Sequence, residues 1–153
     1  MSARDAAAAV VDPEIRVITI EELGILRDVT EEPGGAVRVT ITPTYSGCPA
    51  MDVIRSDIRQ ALARAGYPDS DVVTQLRPAW TTDMISESGR AKLAAAGIAP
   101  PSPAGAVLVP LSVRCPRCGS PDTEELSRFG STACKSLWVC EECREPFDHF
   151  KAI

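Results

Sequence analysis

The sequence predicts an α+β protein, in which a small two-layer domain with the element order α-β-β-α-β-α precedes a β-rich C-terminal module. Three observations lead to this class. Residues around Val39 alternate between apolar and polar side chains, which is typical of a strand. The segment after Pro49 places apolar residues three or four apart, as in an amphipathic helix. Two Cys-x-x-Cys pairs after residue 114 indicate a metal-binding module. We expect the domain at residues 1–96, a linker at 97–106 and the cysteine-rich module at 107–153.

The first half of the domain is predicted to contain a short helix and a hairpin. The Ala-rich residues 2–11 favour a short helix or a frayed arm. Asp12-Pro13-Glu14 has the form of an N-cap followed by proline at the first position of a helix. Ile25–Val29 is predicted to be a strand, and it pairs with a second strand at Val37–Thr42 because the residues 31–35 (EEPGG) form a turn between them.

The second half of the domain is predicted to contain two helices and a third strand. One helix starts at Pro49, carries its apolar residues on one face and stops at Gly66. Val72–Leu76 is predicted to be the third strand, and Ser86–Ala96 the second helix. The linker is rich in Pro, Gly and Ala and has no charge. Beyond it, Val107–Val113 is predicted to be a strand that leads into the first cysteine pair.

The net charge is −5 and the sequence pI is about 4.9. Nucleic-acid binding rewards a basic surface, so we expect no nucleic-acid partner. No apolar run approaches the length of about 20 residues that a membrane helix needs, and the apolar run at 6–11 is too short for a secretion signal. We therefore expect no membrane partner and a location in the cytoplasm.

The four paired cysteines are the strongest functional signal in the sequence. Cys115 and Cys118 are separated by 21 residues from Cys140 and Cys143, which is close to the spacing of zinc ribbons. Two residues between cysteines let a tight turn aim both sulfurs at one ion, and Gly119 suits the end of such a turn. The module is near the size below which a chain needs a staple to fold. We expect structural zinc here, because four protein ligands leave no open coordination position.

Three alternatives to this zinc site stay open at the level of sequence. Iron could occupy the same four-thiolate site, since spacing alone does not separate it from zinc. The pairs could instead be redox-active or free cysteines. Cys134 lies 15 residues after Cys118 and could replace a member of the second pair.

Cys48 differs from the other cysteines because it precedes a predicted helix and follows the small residues Ser46 and Gly47. A helix N-terminus favours thiolate, so Cys48 is a candidate reactive or metal-coordinating thiol. The alternative is a small side chain packed under a loop. We find no other catalytic arrangement in the sequence, and His149, the only histidine, is expected to be a packing or surface residue.

Several of these segments resemble a known family. Asp12-Pro13-Glu14, residues 23–29 (LGILRDV) and residues 42–50 (TPTYSGCPA) resemble the small iron–sulfur-assembly domain of SufT-like proteins. Over a longer stretch, from about residue 12 to the end, the chain is similar to the D subunit of bacterial phenylacetyl-CoA epoxidase systems. That similarity rests on residues 78–83 (PAWTTD), 97–101 (GIAPP), 129–135 (FGSTACK) and 143–147 (CREPF).

The resemblance implies a non-enzymatic accessory protein of phenylacetate catabolism. Its partners would be the other subunits of the phenylacetyl-CoA oxygenase, including the iron–sulfur reductase, whose metal centres it would help to assemble. The resemblance marks Cys48 as the functional thiol, which would handle transient iron or an iron–sulfur cluster. It marks Asp12 and Glu14 as candidate iron or cluster contacts.

Two other functions are left to weigh against an accessory role. A ribbon that binds nucleic acid would use the basic residues of the module, but glutamates are interleaved with them. A thiol redox protein or a catalytic oxygenase component is the second alternative. The sequence shows neither the carboxylate and histidine ligands of a di-iron site nor a flavin or nicotinamide fingerprint.

Overall fold

A computed structural model describes residues 1–45, 47–102 and 112–152. The predicted α+β class is confirmed. The chain divides into an N-terminal unit, which comprises Met1–Trp80 and Met84–Ser86, and a C-terminal unit, which comprises Thr81–Asp83 and Glu87–Ile153. In the described residues, no helix has both the length and the apolar character needed to cross a membrane.

The N-terminal unit pairs two helices with a three-stranded sheet of order β1-β2-β3. Strand β2 is central, antiparallel to β1 and parallel to β3. Helix α1 contacts β1, helix α2 contacts β3, and the two helices contact each other, which gives two layers. The elements are α1 (Ala3–Ala8), β1 (Leu26–Glu31), β2 (Val37–Ile41), α2 (Ala50–Arg64) and β3 (Ser70–Thr74).

The core of this unit forms where the two periodic patterns meet. On β2, Val37, Val39 and Ile41 are almost fully buried, whereas Arg38 between them is exposed. The buried residues of α2 recur every three or four positions, so one face of the helix is apolar. They are Ala50, Met51, Ile54, Ile58 and Leu62.

Helix α2 ends as the sequence predicts. Gly66 follows the helix with a φ of +97°, a conformation in which a side chain would be strained. The backbone N–H of Gly66 donates to the carbonyl of Ala63, and that of Tyr67 donates to the carbonyl of Leu62 at 2.9 Å. These bonds satisfy carbonyls that the last turn would otherwise leave without partners.

The structure corrects the prediction that a helix starts at Asp12. Residues 13–18 form turns, and the chain reverses so that Val11 pairs with Thr19 in an isolated antiparallel bridge. The Oδ1 atom of Asp12 accepts hydrogen bonds from the N–H groups of Glu14 at 2.9 Å and Ile15 at 2.7 Å. The carboxylate therefore caps a turn as it would cap a helix, but the reversal of the chain prevents further helical turns.

The third strand is shifted from its predicted position. It was expected at Val72–Leu76, whereas β3 covers Ser70–Thr74 because the pairing with β2 runs in register from Ser70 opposite Val37 to Thr74 opposite Ile41. Leu76 lies past the end of β2 and is 63% exposed.

The described residues of the C-terminal unit form one helix and a four-stranded sheet of order β4-β7-β6-β5. Strand β4 is parallel to β7, and the other pairs are antiparallel. A 3₁₀ turn at Thr82–Met84 precedes the helix. The elements are α3 (Glu87–Ala95), β4 (Ile98–Ala99), β5 (Thr123–Ser127), β6 (Lys135–Cys140) and β7 (Pro146–Phe150).

Two predictions concern the segment between α3 and the first cysteine. The predicted linker 97–106 begins with β4, which pairs with β7, and its residues 103–106 lie outside the described part of the chain. Most of the predicted strand Val107–Val113 also lies outside it, and Ser112 and Val113 are not in a strand. The domain boundaries at 96 and 107 stay predictions.

Candidate metal centre and thiol site

Two turns of the C-terminal unit present the four paired cysteines. Cys115 and Cys118 lie in the turn that precedes β5, whereas Cys140 ends β6 and Cys143 lies in the turn between β6 and β7. Cys115 and Cys140 are buried, and Cys118 is exposed. The cluster therefore sits at one end of the sheet with its inner side against the core.

The distances between the sulfurs suit a tetrahedral metal ion. The Sγ atoms of Cys115 and Cys143 are 3.8 Å apart, and those of Cys118 and Cys140 are 3.5 Å apart. All four sulfurs lie within 4.8 Å of one another. A tetrahedron with zinc–sulfur bonds of about 2.3 Å has sulfur–sulfur edges of about 3.8 Å, so the donor set fits zinc or iron with small adjustments.

The two turns are built alike. The N–H of Gly119 donates to the carbonyl of Cys115 at 2.9 Å, and the N–H of Arg144 donates to the carbonyl of Cys140 at the same distance. Gly119 has a φ of +77° and Arg144 a φ of +64°. Arg144 is the one described non-glycine residue with positive φ. For a residue with a side chain, this conformation is less favourable by about 1 kcal/mol or more of conformational free energy.

Backbone N–H groups also point at the sulfurs. The N–H of Arg117 lies 3.4 Å from Sγ of Cys115, and that of Cys143 lies 3.5 Å from Sγ of Cys140. Donors at these positions stabilise negative charge on sulfur, which is the form that binds a metal.

The pKa values of Cys115, Cys118 and Cys143 diverge, because ionisation of one thiol opposes ionisation of its neighbours. Burial opposes ionisation of Cys115, but hydrogen bonds from the turn and neighbouring thiols outweigh it and lower its pKa to about 7. The Ser120 N–H favours ionised Cys118, yet burial and the other thiols raise the pKa of Cys118 to about 12. The Glu145 N–H acts likewise on Cys143, whose pKa is nevertheless raised. A divalent cation would remove this repulsion.

A small apolar core supports the cluster from the sheet side. Trp138 and Phe147 pack with Ala99, Val113 and the buried cysteines. Trp138 and His149 meet edge to face at 5.9 Å between ring centroids. The Nε1 of Trp138 donates to Oγ of Ser136 at 3.0 Å.

The structure separates Cys134 from the four-sulfur cluster. Cys134 is buried, and its Sγ lies 3.0 Å from Oγ1 of Thr132. In the part of the chain that the structure describes, the only group of three or more candidate ligands is Cys115, Cys118, Cys140 and Cys143. In this cluster Cys134 replaces neither Cys140 nor Cys143.

Cys48 is half-buried and lies just before the start of α2. Helix α2 begins at Ala50, one residue later than predicted, because Pro49 is its N-cap, with helical φ and ψ angles and no side-chain cap bond. The thiol borders an open depression of about 430 Å³ that Arg55 also lines, and Arg55 donates hydrogen bonds to Asp52 and Thr74. Near this thiol, the start of α2 and a guanidinium provide positive potential.

Asp12 and Glu14 do not join Cys48 in a ligand cluster among the described residues. Asp12 is buried at 5% exposure, and its Oδ1 atom accepts the two turn hydrogen bonds described above. Glu14 is exposed.

Comparison with known proteins agrees with both units. Residues 3–74 match the model of the iron–sulfur cluster assembly protein family, and residues 99–151 match the PaaD zinc beta ribbon domain. A crystal structure of a domain of unknown function from Bacillus anthracis is 28% identical, with a TM-score of 0.55 over 60% of this chain and 87% of that one. The fold and the cysteine cluster therefore define an iron–sulfur-assembly domain joined to a zinc ribbon.

Two curated relatives narrow this class. An Fe-S protein maturation auxiliary factor of Bacillus subtilis is 35% identical over 55% of this chain and 82% of its own length. The D subunit of a 1,2-phenylacetyl-CoA epoxidase of Escherichia coli, as that protein is named, is 50% identical over 93% of this chain and 86% of its own length. This chain belongs to the family of that epoxidase component.

Proposed function

We propose that this chain is an accessory subunit of a phenylacetyl-CoA ring-epoxidising oxygenase system, in which it assists maturation of metal or iron–sulfur centres. The observation that carries the proposal is the accessible Cys48 thiol at the start of α2, within the residues that match the iron–sulfur assembly family. The kinship with an epoxidase subunit along nearly the whole chain supplies the system in which this thiol works.

Iron, or a cluster in transit, is the substrate of the proposed site. A cysteine sulfur is a preferred ligand for such iron, and Cys48 lies just before the start of α2. The Arg55 guanidinium, fixed by Asp52 and Thr74, lines the same depression and provides a counter-charge for an anionic cluster. Asp12 and Glu14 are proposed as additional contacts for the incoming iron. The chain's task is to hold the cargo and pass it on.

The zinc ribbon has a structural role in this proposal. Cys115, Cys118, Cys140 and Cys143 would hold zinc, with iron as the alternative metal, and the closed ligand set assigns no catalysis to it. The chain itself is then no enzyme. Its partners are other subunits of the oxygenase, with the iron–sulfur reductase as the client in need of a cluster. The setting is the cytoplasm, and neither nucleic acid nor membrane is a partner.

Maturation of co-expressed oxygenase subunits tests the proposal. We expect Cys48→Ser to lower the iron–sulfur content of the client and the epoxidase activity, because the substituted hydroxyl is a poor iron ligand. Cys134→Ser is the matched control, since it removes a thiol that belongs to neither site. Unchanged cluster content and activity with Cys48→Ser would contradict the proposal.

Elemental analysis of the isolated chain gives a second measurement. We expect one zinc per chain in wild type and in Cys48→Ser, and iron only in wild type purified without oxygen. Iron that persists in anaerobic Cys48→Ser at the wild-type level would place the cargo elsewhere.

A further inference from the structure

The C-terminal unit exposes two large apolar side chains among its described residues, Leu126 and Phe129. Leu126 is 55% exposed and lies at an irregularity of β5, where the pairing with β6 skips it. Phe129 follows in the next loop and is 79% exposed. Among the described residues, β5 is the last strand of the sheet, and edge strands are accessible to other proteins.

Hydrogen bonds within the loop fix the backbone around Phe129. The N–H of Phe129 donates to Oγ of Ser127 at 3.1 Å, and the N–H of Gly130 donates to the carbonyl of Lys135 at 2.8 Å. A Cβ at Gly130 would lie 3.1 Å from that carbonyl oxygen, so the close approach favours glycine. Phe129 is therefore held outward by an ordered loop, which reduces the entropy lost when a partner immobilises it.

Positive charge flanks the ring. The Nζ of Lys151 lies 5.6 Å from the ring centroid of Phe129 and donates to the carbonyl of Arg128 at 3.1 Å. Arg128, the residue before Phe129 in the chain, is also exposed. This pair of cations stands out in a chain with a net charge of −5.

We propose that Phe129, with Leu126, Arg128 and Lys151, forms the docking surface for an acidic protein partner. The partner presents an apolar pocket that accepts a phenyl ring and a rim of carboxylates that faces the two cations. Phenylalanine and arginine are both enriched at protein interfaces relative to the rest of the surface. The inference rests on the proposed function in one respect, because it takes the partner to be another subunit of the oxygenase system.

A nucleic acid fits this surface less well. An extended phosphate backbone would follow β5, where Glu124 and Glu125 are exposed. The carboxylates of a protein partner would need to contact only Arg128 and Lys151, and not the strand that carries the two glutamates. The charge pattern thus favours an acidic protein.

Titration of the full-length, zinc-loaded chain with each purified oxygenase subunit tests the inference. We expect one subunit to bind wild type and to bind Phe129→Ser at least tenfold more weakly, a difference of about 1.4 kcal/mol. Val17→Ser is the matched control, because Val17 is 46% exposed, lies in the N-terminal unit and does not line the depression beside Cys48. Its Kd should equal that of wild type.

Charge reversal tests the second part of the surface. We expect Arg128→Glu with Lys151→Glu to slow association, and added salt to weaken binding of wild type more than that of the double variant. The zinc content of each variant shows whether the ribbon remains folded.

Three outcomes would overturn the inference. They are equal affinity of Phe129→Ser and wild type for the bound subunit, no binding of any subunit to wild type, and binding of a DNA or RNA oligonucleotide that depends on Phe129. Failure of the proposed function would look different, because Cys48→Ser would then leave maturation intact while the effect of Phe129→Ser on binding could still be measured.

Discussion

His149 is buried on β7 and lacks solvation of its charged form. Its Nδ1 lies 3.5 Å from Oγ of Ser136, and its Nε2 has no partner in the described residues. Burial lowers the pKa of His149 from its ordinary value of 6.5 to about 4. The folded protein thus keeps the ring neutral at pH values where the unfolded chain would protonate it.

The linked change in stability follows from these two values. Between pH 6.5 and pH 4 the unfolded chain binds a proton that the folded chain does not, so the free energy of unfolding falls as the pH falls. With about 1.36 kcal/mol per pKa unit, the loss from pH 8 to pH 5 due to this group is about 2 kcal/mol. Above the pKa of the unfolded chain His149 is neutral in both states, so it does not lower the free energy of unfolding there.

Two measurements check this reasoning. Because His149 is the only histidine, its ring protons can be followed by NMR without competing signals in the tag-free protein, and we expect a midpoint near pH 4. Urea unfolding at pH 8 and pH 5 should show that wild type loses about 2 kcal/mol more than His149→Phe. Zinc is kept saturating, and its own pH dependence cancels between the two proteins. A ring midpoint near 6.5, or equal losses in both proteins, would refute the argument.

Three further predictions concern the backbone and the metal. Arg144→Gly should raise the free energy of unfolding by about 0.5 kcal/mol or more, because it removes positive-φ strain; a fall in a urea titration would contradict this. Gly24→Ala should lower it by about 3 kcal/mol, since the new Cβ would lie 2.6 Å from the carbonyl oxygen of Met84. Gly66→Ala, with positive φ but open space, is the control and should cost about 1 kcal/mol; equal costs would argue against the clash. Cys140→Ser should abolish stoichiometric zinc by elemental analysis, and retained zinc would point to other ligands.

Much of the N-terminal unit could be predicted from the sequence because local patterns decide it. The alternation around Val39 and the spacing along α2 each report which face is buried, and Gly66 marks a helix end by its own backbone. Asp12 misled the prediction because a carboxylate caps a turn and a helix with the same hydrogen bonds. The pairing of Val11 with Thr19 determines that a turn forms and not a helix, and the residues around Asp12 do not predict this pairing.

In the candidate sites, too, the sequence predicted the features that local patterns determine and missed those that depend on distant contacts. The spacing of the paired cysteines is itself a local geometric constraint, so it predicted the cluster that the structure assembles. The αL residue Arg144 could have been found by comparing the two turns, since it occupies the position of Gly119 in the first one. The environment of His149 depends on Ser136 and Trp138 across the sheet, and the sequence does not reveal such neighbours.

Strand β4 is only two residues long, yet it determines where a fragment of the C-terminal unit should begin. Ile98 and Ala99 cover one edge of β7, and they come from the segment before the cysteines. A fragment that starts at residue 107 would contain all four paired cysteines and still expose that edge of β7. Open strand edges recruit other strands, so such a ribbon is expected to load zinc and then self-associate. A fragment that starts at or before Glu87 keeps the edge covered, and it is the smaller piece suited to binding studies.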